Sequence, residues 1–277
     1  MSPEEKTAFF DLLNKGNSNF RYSLPSRKDS GQYVQSLIDY LFPSSSDCEC
    51  RFASNSKELN STFEKLSYKL ECLMKPVAPL LSATVEETIN DFNRCLPGIY
   101  QKLLEDAQSI ADNDPASYGI EEVVGIYPGF QAIATYRIAH AMANLKVPFL
   151  PRMFTEYAHS QTGIDIHPHA KIGRHFFIDH GTGIVIGETA EIGDNVKIYQ
   201  GVTLGATHVS KSMAATKRHP TIEDNVVIYA NAIILGGDTV IGHDTIVGGN
   251  SWVTHSIPPY SQVYQRSATE IRTHQPA

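Results

Sequence analysis

No run of this 277-residue chain comes near the ~18 consecutive apolar residues that cross a bilayer. The opening Met1-Ser2-Pro3-Glu4-Glu5-Lys6 also lacks the basic-then-apolar order of a secretion signal, so a cytoplasmic protein with no membrane partner is expected. Cysteine is sparse. Cys48, Cys50, Cys72 and Cys95 form no CxxC pair and no metal-ligand spacing, which points to reduced structural thiols rather than disulfides or a metal site. Positive charge is short as well: 23 Lys+Arg against 30 Asp+Glu give a formal net charge of −7, leaving no broad basic face for nucleic acid. With 42% hydrophobic residues the chain can still bury one large core or two modest ones.

What is present falls into two halves. All four cysteines precede residue 100, all eleven histidines follow residue 139, and the hydrophobic period changes between them. Residues 1–160 read as a helical domain: Leu59, Phe63, Leu66, Leu70 and Leu73 recur at helical spacing, and Thr84 to Glu87 has the spacing of a capping box. Pro97 is placed in the first turn of a helix ending near Asp114-Pro115, and Phe130, Ile133, Ala134 and Ile138 stripe another before Pro148.

From Ile166 the period becomes six. Ile166, Ile172, Ile178, Ile184, Ala190, Val196 and Val202 keep step, and Ile222, Ile228, Ile234, Val240, Ile246 and Trp252 resume it. Neither a helix nor a simple strand repeats every six residues; short strands separated by corners do, each turning one anchor inward. Residues 161–260 are therefore predicted to form a parallel β-helix, followed by a tail over 261–277. The helical half is expected to cover one open end, and Pro258-Pro259 to stop strand pairing at the other. Fourteen residues, 208–221, interrupt the hexads; they contain Lys211, Lys217, Arg218 and His219 and no acidic residue, a local positive site on an acidic chain.

His180 lies in the glycine-bracketed run Asp179-His180-Gly181-Thr182-Gly183, where backbone and ligand can approach closely. Asp165 precedes it by fifteen residues, three short of one circuit if a coil takes eighteen. A carboxylate holding one imidazole nitrogen fixes the tautomer and stabilises the cation formed when the other nitrogen takes a proton, which is what an alcohol nucleophile requires.

Several runs together resemble the serine O-acetyltransferase family: Asp165-Ile166-His167-Pro168, Asp179-His180-Gly181-Thr182-Gly183-Ile184-Val185-Ile186-Gly187-Glu188, Arg218-His219-Pro220, and, in the helical half, Asp114-Pro115-Ala116 and Tyr127-Pro128-Gly129-Phe130-Gln131-Ala132. The resemblance implies an α+β fold, an N-terminal all-helical domain before a left-handed parallel β-helix. It implies acetyl transfer from acetyl-CoA to L-serine in cysteine biosynthesis, with no permanently bound cofactor and L-cysteine as feedback inhibitor. It implies a homotrimer or a dimer of trimers with sites between subunits. Carried over by position, His180 is the general base and Asp165 its orienting partner; Asp114, Asp179, Arg218 and His219 bind serine; Gly205, Ala230, Gly248 and Lys217 bind acetyl-CoA. Some relatives dock a C-terminal isoleucine into O-acetylserine sulfhydrylase; this chain ends Thr273-His274-Gln275-Pro276-Ala277, so no stable complex of that kind is expected, a point that co-elution of the two enzymes checks.

Other chemistries fit less well. The five-residue spacing of His175 and His180 is that of two zinc ligands in a β-helical carbonic anhydrase, but the third imidazole, His140, falls in a predicted helix. A different hydroxyl acceptor, such as a sugar, needs neither ammonium-binding aspartates nor a carboxylate-binding arginine.

Overall fold

The computed structural model describes residues 1–43, 56–207 and 216–266. Cys48, Cys50, residues 208–215 with Lys211, and the tail from 267 lie outside the described residues. Among those described, seven α-helices come first: α1 (Pro3–Asn17), α2 (Arg27–Leu41), α3 (Ser56–Met74), α4 (Val85–Asn113), α5 (Ile120–Ile126), α6 (Pro128–Asn144) and α7 (Leu150–Thr162). None is long and apolar enough to cross a membrane. On α3 the stripe buries Leu66, Leu70 and Leu73, while Leu59 stays exposed. Thr84 caps α4 as the spacing predicts, its hydroxyl taking the Glu87 N–H at 3.1 Å while the Glu87 carboxylate takes the Thr84 N–H at 2.9 Å.

Pro97 does not begin a helix. It lies inside α4, on the exposed side, and the buried stripe of Phe92, Leu96, Ile99 and Leu103 runs on past it. The boundary expected at residue 160 falls within α7, which ends at Thr162 against Gly163 in the left-handed conformation (φ 72°).

The strands stack into a three-sided parallel coil. Face I holds β1 (Asp165–Ile166), β4 (Val185–Ile186), β7 (Thr203–Gly205), β10 (Ile233–Leu235) and β13 (Trp252–Val253). Face II holds β2 (Lys171–Ile172), β5 (Glu191–Ile192), β8 (Thr221–Ile222) and β11 (Val240–Ile241). Face III holds β3 (Phe177–Asp179), β6 (Lys197–Tyr199), β9 (Val227–Ile228), β12 (Ile246–Val247) and β14 (Gln262–Val263). Each inner rung finds its backbone partners directly above and below, and the buried Ile and Val side chains form one core continuous with that of the helices.

The register corrects the six-residue count in three places. Asp165 pairs with Val185, twenty residues on, so the first coil is two longer than eighteen, the length of the coil from Val185 to Thr203. The surplus lies at the corner 180–183. Because strand side chains alternate, a slip of two replaces one inward position by another, so Ile184 and Ile186 are both buried and the count runs through undisturbed. At Gly236-Gly237 the slip is one residue: Ile241, Val247 and Val253 point inward in place of Val240, Ile246 and Trp252, and Trp252 is 64% exposed. Thr203 pairs with Ile233, thirty residues on, so twelve rather than fourteen residues are inserted, and Thr221 belongs to β8. Nor do Pro258-Pro259 end the pairing. They occupy a corner between the Ile241↔Ile257 bridge and β14, where the ladder asks for no N–H.

The first coil has no rung above it, and helices α4 and α6 supply its partners. The Tyr136 hydroxyl donates to the Ala170 carbonyl (2.6 Å), a His140 ring nitrogen to Pro168 (2.8 Å), and the Ser109 hydroxyl to His175 (3.1 Å). Arg137 donates to the Gly173 carbonyl at 2.7 Å and holds Asp106 through two parallel hydrogen bonds of 2.5 and 2.8 Å. Asp106 in turn accepts the Phe176 N–H at 2.9 Å. Burial pushes the Asp106 carboxyl up, and the guanidinium opposes that push. Replacing Arg137 by Leu strands a buried carboxylate and is expected to cost about 3–5 kcal/mol. Urea unfolding of Arg137→Leu, with Asp106→Leu/Arg137→Leu recovering part of the loss, checks this.

Candidate active site

The predicted residues gather on two edges of the coil. At the edge where face III turns into face I, Asp179 ends β3 and His180 follows with φ 54°, the left-handed corner conformation that His175, Asn195, Asn225, Asn231, Asp244 and Asn250 also adopt around the coil. Gly181 (φ 83°) packs so closely on Ile164 that any Cβ would collide with that side chain. The His180 side chain is 73% exposed, with Nε2 3.8 Å from Asp179 Oδ1.

Asp114, just past the end of α4, reaches the same edge near enough for its carboxyl to feel His180. Its Oδ2 accepts the Tyr127 hydroxyl at 2.6 Å and its Oδ1 the Ala116 N–H at 2.8 Å. Those two donors hold the Asp114 carboxyl below the usual carboxylate range. Asp165 departs from expectation. Its partner is Arg152 of α7, with Oδ1 3.5 Å from the guanidinium, and that oxygen is buried without a hydrogen bond. Because the first coil takes twenty residues, Asp165 lies five rather than three short of a circuit from His180.

The second edge, where face I turns into face II, carries Arg218 and His219. Arg218 pairs with Glu188 and is largely covered. Burial pushes the Glu188 carboxyl up, but the Arg218 hydrogen bond and nearby His167 outweigh it and leave it lowered. The His219 ring lies over Gly187, where a Cβ would fall inside it. His219 Nδ1 accepts the Thr189 N–H at 3.0 Å, which assigns the ring proton to Nε2. Burial first, then the Arg218 charge, push His219 down to about 4, so the ring is a neutral Nε2–H donor at pH 7.

Of the residues expected to meet acetyl-CoA, Ala230 and Gly248 stack below His180 on the first edge, in register through Tyr229 and Val263. Gly205 instead ends β7 on face I, beside Leu235. Lys217 is on the second edge, donating to the Thr189 carbonyl at 3.1 Å and facing Glu191 at 3.7 Å. Within one protomer the three imidazoles of the zinc alternative do not converge. His175 and His180 flank opposite ends of β3, His140 is bound to Pro168, and the described residues hold no cluster of three or more His, Cys, Asp or Glu able to grip a metal.

Tyr127, Glu188 and Thr189 carry the site's hydrogen bonds without having been singled out from the sequence. The available signal for Glu188 was a carboxylate in the run ending Gly187-Glu188, opposite in sign to the insert; Tyr127 heads the Tyr127-Pro128-Gly129-Phe130-Gln131-Ala132 run that carries the family resemblance, but was given no role of its own.

His167 and His219 both sit at about 4, His167 because of burial, whereas an unfolded imidazole titrates near 6.5. The unfolded chain thus binds more protons in that window, and acid favours it. The thermal midpoint is expected to fall as pH drops from about 6.5 to about 4, less steeply in His219→Gln; equal slopes for parent and variant in a melting series contradict it.

No protein-family model matches the chain. The plasmid serine acetyltransferase of Synechococcus elongatus is 41% identical over 264 residues, which is 88% of this chain and 82% of that one. Serine acetyltransferase 1 of Entamoeba histolytica, solved in complex with L-cysteine, superimposes with a TM-score of 0.75 at 34% identity, over 84% of this chain and 86% of that one. A serine acetyltransferase solved in complex with CoA matches with a TM-score of 0.58 at 31% identity, over 87% and 99% of the two chains. The helices are thus followed by the left-handed β-helix of these enzymes. In sequence over most of its length and in fold, the chain belongs to the serine acetyltransferase family.

Proposed function

We propose that the chain transfers the acetyl group of acetyl-CoA to the hydroxyl of L-serine, releasing O-acetyl-L-serine and CoA, as a step toward cysteine. The observation that carries this reading is the sorting of charge between the two edges: two carboxylates beside the exposed imidazole of His180, and a guanidinium beside a neutral imidazole donor at Arg218 and His219. An amino acid has one end for each.

The serine ammonium is held by Asp114 and Asp179. Its carboxylate lies on Arg218, whose five N–H donors can serve Glu188 and substrate together, and on the Nε2–H of His219. His180 takes the hydroxyl proton as the serine oxygen attacks the thioester carbonyl, and the tetrahedral adduct collapses with loss of CoA sulfur, which receives that proton from the imidazolium. Asp165 is the partner proposed to orient His180. The support is its buried Oδ1, which has no donor, and the packing of neighbouring Ile164 beneath Gly181.

Within one protomer the edges are separated by the width of face I, on the order of 15 Å, so one serine is grasped only when a second copy brings its Arg218 edge to this His180 edge. Face I presents Val185 and Trp252 outward, where face II presents Lys171 and Glu191, which supports a homotrimer, or a dimer of trimers, built on face I. Acetyl-CoA then lies in the groove so formed, against Ala230 and Gly248, with Gly205 in its wall and Lys217 near the phosphates. L-cysteine has the same ammonium and carboxylate as serine, and the cysteine complex of the Entamoeba relative supports inhibition at this site. The free thiols of Cys72 and Cys95 suit a reducing cytoplasm.

Thiol release from acetyl-CoA is expected with L-serine and not with L-homoserine or galactosides. His180→Ala should lower kcat by at least ~10²-fold, while Arg218→Ala should chiefly raise the KM for serine; parent-rate turnover by His180→Ala rejects the assignment. Co-expressing the two variants tests the shared site. Every mixed trimer retains one intact site of three, so at low serine about one quarter of parent activity should return.

A further inference from the structure

Asp114 is the one proposed serine ligand that the β-helix does not carry. It stands at the head of the connection 114–119, and among the described residues its carboxylate is fixed by the N–H of Ala116 in its own turn and by the Tyr127 hydroxyl. Tyr127 joins α5 to α6, and its extended backbone (ψ 123°) is the one that Pro128 imposes on the preceding residue. Gly129 then lets the first turn of α6 lie against β3: a Cβ there would come within 2.8 Å of the Ile178 carbonyl oxygen. Ile178 immediately precedes Asp179 and His180. The phenol is thus seated on the wall that carries the base and reaches outward to the loop that carries Asp114.

We propose that Tyr127 is a positioning residue for serine, tying the Asp114 carboxylate into fixed register with Asp179 and His180. An ionised carboxylate offers about four acceptor lobes, of which Tyr127 and Ala116 take two, leaving the others for the substrate ammonium. The Asp114 hydrogen bond and burial push the Tyr127 hydroxyl up to about 12, so it stays a donor across the working range. Without it the loop keeps Asp114 but loses its aim, and the loss falls on serine rather than on the acetyl donor.

This rests on the serine reading above. The test is steady-state kinetics of Tyr127→Phe, alone and in an Asp114→Ala background, with thermal melting alongside. The expected result is a rise of about tenfold in the KM for serine, the scale of one charge-assisted hydrogen bond, with kcat, the KM for acetyl-CoA and the thermal midpoint near parent values. The same substitution in the Asp114→Ala background should add nothing, because the phenol acts through that carboxylate. An unchanged serine KM, an equal rise in both backgrounds, or a midpoint lowered together with all the kinetic constants overturns the proposal. If the parent acetylates serine, any of these outcomes removes only the role of Tyr127; a parent inert toward serine removes the underlying reading.

Discussion

The end of a β-helix is a ring of backbone groups with no next rung, and in this protein two helices close it with side chains. Asp106 and Arg137 are central to the closure: they neutralise each other in a fully covered position while bonding the Phe176 N–H and the Gly173 carbonyl of the first coil. Tyr136, His140 and Ser109 extend it round the ring. Backbone hydrogen bonds are directional, so this closure fixes where along the coil each helix lies as well as covering it. From Asp106 to Asp114 is eight residues, about 12 Å of helix. The same lock that seats α4 on the coil therefore delivers Asp114 to the edge where His180 stands.

That dependence divides the labour between the two halves of the chain. The β-helix supplies rigid edges on which Asp179, His180, Arg218 and His219 are placed by rung number. The helices supply Asp114 and Tyr127, which no rung could offer at that height. Three of these groups are set by hydrogen bonds within the protein: His219 by Thr189, Arg218 by Glu188, Asp114 by Tyr127. Those three have little conformational freedom left to lose on binding a ligand.

Much of this was legible in the sequence. The hexads announced short parallel strands because nothing else repeats at six, and the glycine-bracketed His180 and the Arg218-His219 pair pointed to the two edges on which the proposed function is built. Phase was less legible. A slip of two at 180–183 is invisible to a count of inward residues in a structure whose side chains alternate, and the slip of one at Gly236-Gly237 replaced Val240 by its equally apolar neighbour Ile241. Pro97 misled because a proline on a solvent-facing helical surface does little harm. The Asp106–Arg137 pair spans thirty-one residues between two helices, and its local trace was only a charge within each apolar stripe. Glu188 and Thr189 work on side chains thirty residues away, a distance that only the coil's register makes short.

A solenoid is a monotonous object, each storey a near copy of the one beneath, and a ligand meeting a uniform staircase would have no reason to stop at one step. Along the edge that carries His180, two surplus residues break that monotony on one storey alone. They give an otherwise translationally degenerate edge a unique address, so that the scaffold can be lengthened or shortened from its far end without creating a second, competing doorway.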